Sequence, residues 1–255
     1  MKHNTTKEKL RNGGTVLGCF TRYPNATLVE VLGYFGWDFI VFDGEHGTLE
    51  PADCEQMTRA AELQGVTPIV RVPVNLPHVI LRFLDTGVQG LHVPMVRTAS
   101  DAEAVVQAVK YQPRGSRGLA NIRAGEYGQR GSLGEYIAKA NEETLVSVHI
   151  ETEDSVDRLT EITSVDGLDV IFIGPTDLSN TLGLPGQLQE PRVQSALQRC
   201  VEVVAKSDKA LGIMVPNAQA ARTWIGRGAR YVTINLEGLI GPACRTYLEA
   251  VRKPA

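Results

Sequence analysis

Short apolar runs alternate along this chain with longer stretches whose apolar residues fall on one helical face. The runs span residues 15–21, 39–43, 67–72, 90–96, 145–151, 170–174, 211–215 and 231–235. They are rich in Val and Ile and show little polar alternation, as strands do when both faces of a parallel sheet are buried. Between them the spacing predicts helices over 26–34, 51–64, 77–86, 101–111, 155–163, 191–206, 218–227 and 238–251. Pro51 and Pro77 suit first helical turns, and Ser100 with Glu103 forms a capping box. Gly65, Gly87 and Gly228 suit helix ends. Eight strands in strict alternation with eight helices predict an α/β fold, a single-domain (β/α)8 TIM barrel, and 255 residues is a usual size for one. A doubly wound open sheet is the competing arrangement. Its dinucleotide-binding form needs a Gly-x-Gly-x-x-Gly after the first strand, which is absent here. Two segments stand outside the alternation: a polar amino-terminal extension, 1–14, and a glycine-rich irregular stretch, 112–139. The second is expected to form a short extra element or an oligomer contact, since a loop of this length is usually functional or mobile.

Composition narrows the function classes. A net charge of −3 gives no reason to expect nucleic acid or an anionic membrane as partner. The four cysteines, Cys19, Cys54, Cys200 and Cys244, are far apart and form no Cys-x-x-Cys pair. Neither a zinc knuckle nor a redox motif follows, and free thiols in a reducing cytoplasm are expected. Residues 1–14 lack the apolar core of a signal peptide, and no run approaches the roughly 18 apolar residues of a membrane span.

The chemistry gathers where strands end. In this fold the carboxyl ends of the strands carry the site. The run Phe39-Ile-Val-Phe-Asp-Gly-Glu-His-Gly47 passes from a buried strand straight into Asp43, Glu45 and His46. The third strand delivers Arg71, an ion in an apolar strand that needs an anionic partner. The fifth delivers His149 and Glu151, which share a face because they are two residues apart. The sixth delivers Thr176 and Asp177, and the eighth Asn235 and Glu237. Glu151 and Asp177, from neighbouring strands, form an oxygen-rich pair suited to Mg2+ or Mn2+. Capping of the following helices is the competing role for both. His78 and His92 read as structural. The lysines are Lys2, Lys7, Lys9, Lys110, Lys139, Lys206, Lys209 and Lys253, and none falls in a predicted strand. A Schiff base needs an amine beside the substrate carbonyl. Carbonyl chemistry here would instead use a metal as Lewis acid.

With those residues placed, the sequence resembles the HpcH/HpaI family of metal-dependent pyruvate aldolases. The matching stretches are Phe42-Asp-Gly-Glu-His46, Val70-Arg71, Leu84-Asp-Thr-Gly87 with Val93-Pro-Met-Val96, Pro113-Arg-Gly-Ser-Arg-Gly118, Ile150-Glu-Thr152 and Phe172-Ile-Gly-Pro-Thr-Asp-Leu-Ser179. They run in family order across most of the chain. The resemblance implies a class II aldolase that cleaves a 4-hydroxy-2-oxo acid reversibly to pyruvate and an aldehyde. It implies His46 as general base, Arg71 as stabiliser of the enolate, and Glu151 and Asp177 as ligands of the divalent cation. Mg2+ or Mn2+ is expected first, Co2+ or Zn2+ next. Thr176 would offer its backbone N–H to the pyruvyl carboxylate, beside His149 and Asp177. Asp85 would raise the basicity of His46. Its place after a helix and before the fourth strand puts it at the far end of its own barrel, so it would serve a neighbouring subunit, and Asp43 is the local alternative. A homo-oligomer, trimer or hexamer, follows, with the last helix as a candidate contact. Where relatives carry a substrate-contacting glutamine, this chain has His149. Oxaloacetate decarboxylation or enolate trapping, as in macrophomate synthase-like relatives, is the alternative activity. A non-catalytic oxo-acid-binding barrel is the alternative from another class.

Overall fold

The computed structural model describes residues 1–252; residues 253–255, Lys253 among them, lie outside the described residues. Eight parallel strands close into a barrel in sequence order, with the eighth paired to the first. They are β1 (Val16–Thr21), β2 (Phe39–Asp43), β3 (Thr67–Arg71), β4 (Gly90–Val93), β5 (Leu145–Ile150), β6 (Val170–Ile173), β7 (Ala210–Met214) and β8 (Ala229–Asn235). The helices are α1 (Thr5–Arg11), α2 (Ala26–Gly33), α3 (Pro51–Gln64), α4 (Pro77–Asp85), α5 (Ala99–Val109), α6 (Leu133–Glu143), α7 (Glu153–Asp157), α8 (Leu159–Thr163), α9 (Pro175–Thr181), α10 (Pro191–Val204), α11 (Ala218–Gly226) and α12 (Leu236–Arg252).

Alternate strand residues feed two separate cores. Phe20, Phe39, Val41, Ile69, Leu145, Phe172 and Tyr231 fill the barrel interior. Ile40, Phe42, Val70, Leu91, Val148, Ile171 and Ile213 pack outward against the helices. Both sides of each strand are therefore apolar, which is why the runs carry no polar alternation. Gly18 belongs to this packing. A Cβ there would sit 2.1 Å from the Phe39 ring, which stacks on Tyr231 at 4.2 Å between centroids.

The extension 1–14 is not a loose leader. Residues 5–11 form α1, and its Leu10 enters the interior core. Asn4 caps the helix by accepting from the Lys7 N–H at 2.9 Å, and its amide donates to Gln89 O at 2.8 Å. Lys7 Nζ donates to Thr144 O and Asp169 Oδ2, both at 2.8 Å. These polar residues satisfy backbone and carboxylate groups at the amino-terminal mouth of the barrel. The stretch 112–139 likewise contains a 3-10 turn, Arg123–Gly128, and then α6, whose Ser132 and Glu135 form a capping box. The cap of α5 lies two residues earlier than the sequence pattern implied: Thr98 and Asp101 form the box, not Ser100 and Glu103. Residues 155–163 split into α7 and α8 at Arg158, whose ψ of 11° leaves the helical region. The turn after β6 forms the extra helix α9. Gly65 ends α3 in the left-handed region at φ 71°.

Lys110 gives this end of the barrel a pH signature. It is 1% exposed and donates to Asn141 O and Thr144 O, each at 2.8 Å. Burial, with Lys7 close by, pulls its pKa down to about 7. In the unfolded chain a lysine titrates near ~10.4. Between those values the unfolded state binds more protons, so this group adds stability as pH rises through the window. The thermal midpoint of the wild type is expected to gain on that of Lys110→Met between about pH 7 and pH 9. A constant difference over that range would contradict the burial argument.

Candidate active site

The carboxyl rim of the barrel gathers most of the residues singled out above. Asp43 and Arg71 are register partners across β2 and β3. Arg71 donates to Asp43 through Nε at 2.8 Å and Nη2 at 2.6 Å, a two-pronged pair, and its Nη1 lies 2.9 Å from Glu45 Oε2. Asp43 Oδ1 also accepts the backbone N–H groups of Glu45 at 3.1 Å and His46 at 3.2 Å. One buried carboxylate thus fixes both the arginine and the loop. Burial pushes the Asp43 carboxyl up, but the Arg71 fork and the two N–H groups outweigh it and hold it below its ordinary value. Glu45 is raised by its own burial, which exceeds the pull of Arg71.

Glu151 follows β5 and is 3% exposed. Its Oε1 accepts the Met95 N–H at 2.7 Å, and its Oε2 lies 3.2 Å from His149 Nδ1. Burial raises its carboxyl, but these donors prevail and hold it below the ordinary carboxylate value. Two backbone features make room for it. Met95 takes a left-handed φ of 57° that aims its N–H at the carboxylate. Gly174 leaves space that a Cβ would fill, 2.9 Å from Oε2. Arg71, His149, Glu151, Thr176, Asp177 and Asn235 line one cavity of about 260 Å³. Phe172, Leu188, Met214, Val215 and Pro216 form its apolar wall. Thr176 and Asp177 stand in the first turn of α9, where backbone N–H groups have no intrahelical partner.

Two expected residues are not in this group. His46 lies on the loop beyond Asp43 with its side chain 57% exposed, and its ring is 4.0 Å from Glu45 Oε2. Asp85 ends α4 at the opposite mouth and pairs with Arg117 at 2.8 Å. Within one chain Asp85 therefore has no contact with His46, and Asp43 meets His46 through its backbone N–H and not its ring. His92, read as structural, is buried inside the barrel and bonded to His149. The Met95 N–H, the space at Gly174 and the wall from Leu188 to Pro216 were not legible in advance. They depend on loop paths, and a periodicity carries no signal for those. A second cavity, about 550 Å³, opens at the amino-terminal mouth. Its cations Lys7, Arg11, Arg114, Lys209 and Arg230 are already engaged with carboxylates and main-chain carbonyls.

Among the described residues no cluster of three or more His, Cys, Asp or Glu side chains forms a closed metal cage. Glu151 and Asp177 line one cavity and offer hard carboxylate oxygens to it. Mg2+ is held in that manner, by one or two carboxylates plus substrate oxygens. The residues present therefore fit a divalent cation.

The description "HpcH/HpaI aldolase/citrate lyase" belongs to a family model that matches residues 17–240. A hydroxypyruvate/pyruvate aldolase of Roseobacter denitrificans is 34% identical over 92% of this chain and 91% of its own length. A 4-hydroxy-2-oxo-heptane-1,7-dioate aldolase of Escherichia coli is 34% identical over 92% of this chain and 89% of its own. The crystal structure of an HpcH/HpaI aldolase/citrate lyase family protein from Burkholderia cenocepacia J2315 superposes with a TM-score of 0.93 at 30% identity, covering 98% of this chain and 100% of that one. Fold, rim chemistry and relatives together define a carbon–carbon lyase of the aldolase class. The chain belongs to the HpcH/HpaI aldolase/citrate lyase family.

Proposed function

We propose that this enzyme cleaves a 4-hydroxy-2-oxo acid to pyruvate and an aldehyde, and runs the reverse addition, at the rim cavity around Arg71 and Glu151. The observation that carries this reading is the convergence of Arg71, Glu151, Thr176 and Asp177 on one cavity whose far wall is apolar. Glu151 and Asp177 would hold Mg2+ or Mn2+, which supplies a Lewis acid for the keto oxygen. The free N–H groups at the start of α9, Thr176 among them, suit the pyruvyl carboxylate. Arg71, kept charged and oriented by Asp43 and Glu45, faces the oxygen on which enolate charge develops. His46 takes the proton from the 4-hydroxyl, the C3–C4 bond breaks, the aldehyde leaves, and a proton returned to C3 of the enolate gives pyruvate. The apolar wall from Leu188 to Pro216 keeps water from the enolate.

Oxaloacetate decarboxylation is the second reading, and the exposed His46 favours it, since loss of carbon dioxide needs no base at that position. The two separate in a His46→Ala variant assayed on both substrates. Aldol cleavage is expected to fall by about 10²–10⁴-fold, the range for a lost general base, while decarboxylation is retained. Equal loss of both would remove His46 from the base role.

A homo-oligomer is part of the same reading. Of the 17 residues of α12 only Leu236 is buried, and Leu239, Ile240, Leu248 and Val251 are exposed. A helix so apolar and so uncovered fits a subunit contact in a trimer or hexamer, and only in such an assembly would Asp85 of one chain reach His46 of another. Light scattering is expected to give a multiple of 27.7 kDa, and a fully active monomer at micromolar concentration would contradict it. The described residues contain no helix long and apolar enough to cross a membrane. With the reduced cysteines, a cytoplasmic location fits.

A further inference from the structure

The cavity at the amino-terminal mouth takes no part in the proposed chemistry. At about 550 Å³ it has the size of a small-molecule site. It opens between α1, α5 and the turns that lead into β6 and β7. Two lysines in its wall, Lys7 and Lys209, are buried, and a third, Lys110, lies behind Lys7. Lysines are almost never so buried unless an anion pairs with them.

Here the anions fall short. Lys7 Nζ and Lys110 Nζ donate to the same carbonyl, Thr144 O, each at 2.8 Å. Asp169 Oδ2 accepts from Lys7 at 2.8 Å and also from the Val146 N–H at 2.9 Å. The other contact of Lys110 is Asn141 O, so its ammonium meets only neutral oxygens. Arg230 likewise donates to two carbonyls, Leu10 O and Lys209 O. Arg11 and Arg114 share one carboxylate, Glu142, at 3.3 Å and 3.0 Å. Lys209 pairs with Asp208, whose side chain is 81% exposed. Six cations therefore gather here with four carboxylates, and of those Asp166, Asp208 and Glu142 stand in solvent. Donors remain too. In these bonds Arg11 uses only Nη2, Arg114 only Nη1, and Arg230 its two terminal nitrogens.

We propose that this cavity binds a phosphate-type oxyanion, held by the guanidinium forks of Arg11, Arg114 and Arg230 over the buried ammonium groups of Lys7 and Lys110. The anion supplies the charge that the cluster lacks. Paired N–H groups of a guanidinium match two oxygens of a tetrahedral oxyanion. The site carries a proton signature. The charged groups facing Lys110 are Lys7, Asp169, Arg114 and Glu142, and burial with Lys7 nearby pulls its pKa down to about 7. A bound anion favours the ammonium form, so binding at about pH 8 draws a proton onto Lys110. At about pH 6 that proton is already in place.

Calorimetry on the full chain tests this with sodium sulfate, a stand-in for phosphate whose charge is constant over that range. Wild type is expected to bind sulfate saturably and to take up a proton with it at about pH 8, read from the heats in two buffers of different ionisation enthalpy. The uptake is expected to vanish at about pH 6 and in Lys110→Met. Arg11→Met combined with Arg114→Met changes two half-exposed side chains. It is expected to weaken sulfate binding by about 10–100-fold, the loss of charge-assisted hydrogen bonds. Binding is expected to persist with pyruvate and Mg2+ present. Glycerol phosphate and inorganic phosphate then separate the sources of the group. Tighter binding of the ester assigns the cavity to a phosphorylated metabolite, and tighter binding of the ion assigns it to free phosphate. No saturable sulfate binding in wild type, or binding at about pH 8 without proton uptake, overturns the proposal even if no variant folds. So does sulfate displaced by pyruvate, which would place it at the rim, or affinity unchanged in the double arginine variant.

Discussion

Replacing Arg71 with alanine is expected to lower cleavage by about 10²–10³-fold, the typical loss for a charge-stabilising donor. Stability is expected to fall in the same variant. Asp43 is 3% exposed and relies on the Arg71 fork, and Glu45 loses its 2.9 Å contact with Arg71 Nη1. Breaking a buried pair from one side leaves an uncompensated charge and costs about 3–5 kcal/mol. A single substitution therefore mixes a catalytic loss with a folding loss. The double variant Arg71→Met, Asp43→Leu separates them, because it removes the unpaired buried Asp43 carboxylate and leaves without a partner only Glu45, whose side chain is 20% exposed, and two loop N–H groups that water can reach. It is expected to recover most of the thermal midpoint and none of the activity. Arg71→Lys is expected to remain poor in both respects, since one ammonium cannot reproduce contacts at Nε, Nη1 and Nη2. Recovery of cleavage in the double variant would show that Arg71 serves the fold alone. The pair also sets an acid limit. Asp43 and Glu151 titrate below their ordinary values, so their contribution is complete above the unfolded carboxylate range and is lost as pH falls through the lowered values.

Removal of divalent cations is expected to abolish turnover, and added Mg2+ or Mn2+ to restore it. Borohydride in the presence of pyruvate is expected to leave the enzyme active, because among the described residues no lysine lines the rim cavity. Lys7 and Lys110, the two most buried lysines of the described chain, are engaged at the opposite mouth. Full activity after exhaustive chelation, or pyruvate trapped covalently on a lysine, would rule out the metal route.

Much of the barrel was legible because each strand is short, β-branched and apolar on both sides, and each is followed by a helix with its own start and stop signals. Strand β2 and helix α3 fall on the bounds expected from the pattern. What escaped was structure made by polar residues. The helix α1 and its caps look like solvent-facing sequence until Asn4 and Lys7 find carbonyls that only the closed barrel brings near. The site divides the same way. Arg71 and Glu151 were visible as ions at strand ends, where burial demands partners, and Asp177 as a carboxylate in the turn after β6. That Arg71 pairs with Asp43 required register, which a sequence pattern leaves open. The tie between His149 and Tyr231 spans strands on different sides of the barrel, and neither residue's neighbours in the chain announce it.

Exchange of the pyruvate methyl protons in deuterium oxide, followed by NMR, tests the central claim most directly, because it reports enolate formation without an aldehyde partner. The enzyme with Mg2+ or Mn2+ is expected to exchange those protons, to lose exchange on chelation, and to lose it in Glu151→Gln and in the Arg71→Met, Asp43→Leu variant. Exchange that persists without a divalent cation, or that survives in both variants, would mean that Arg71 and Glu151 do not form the enolate site.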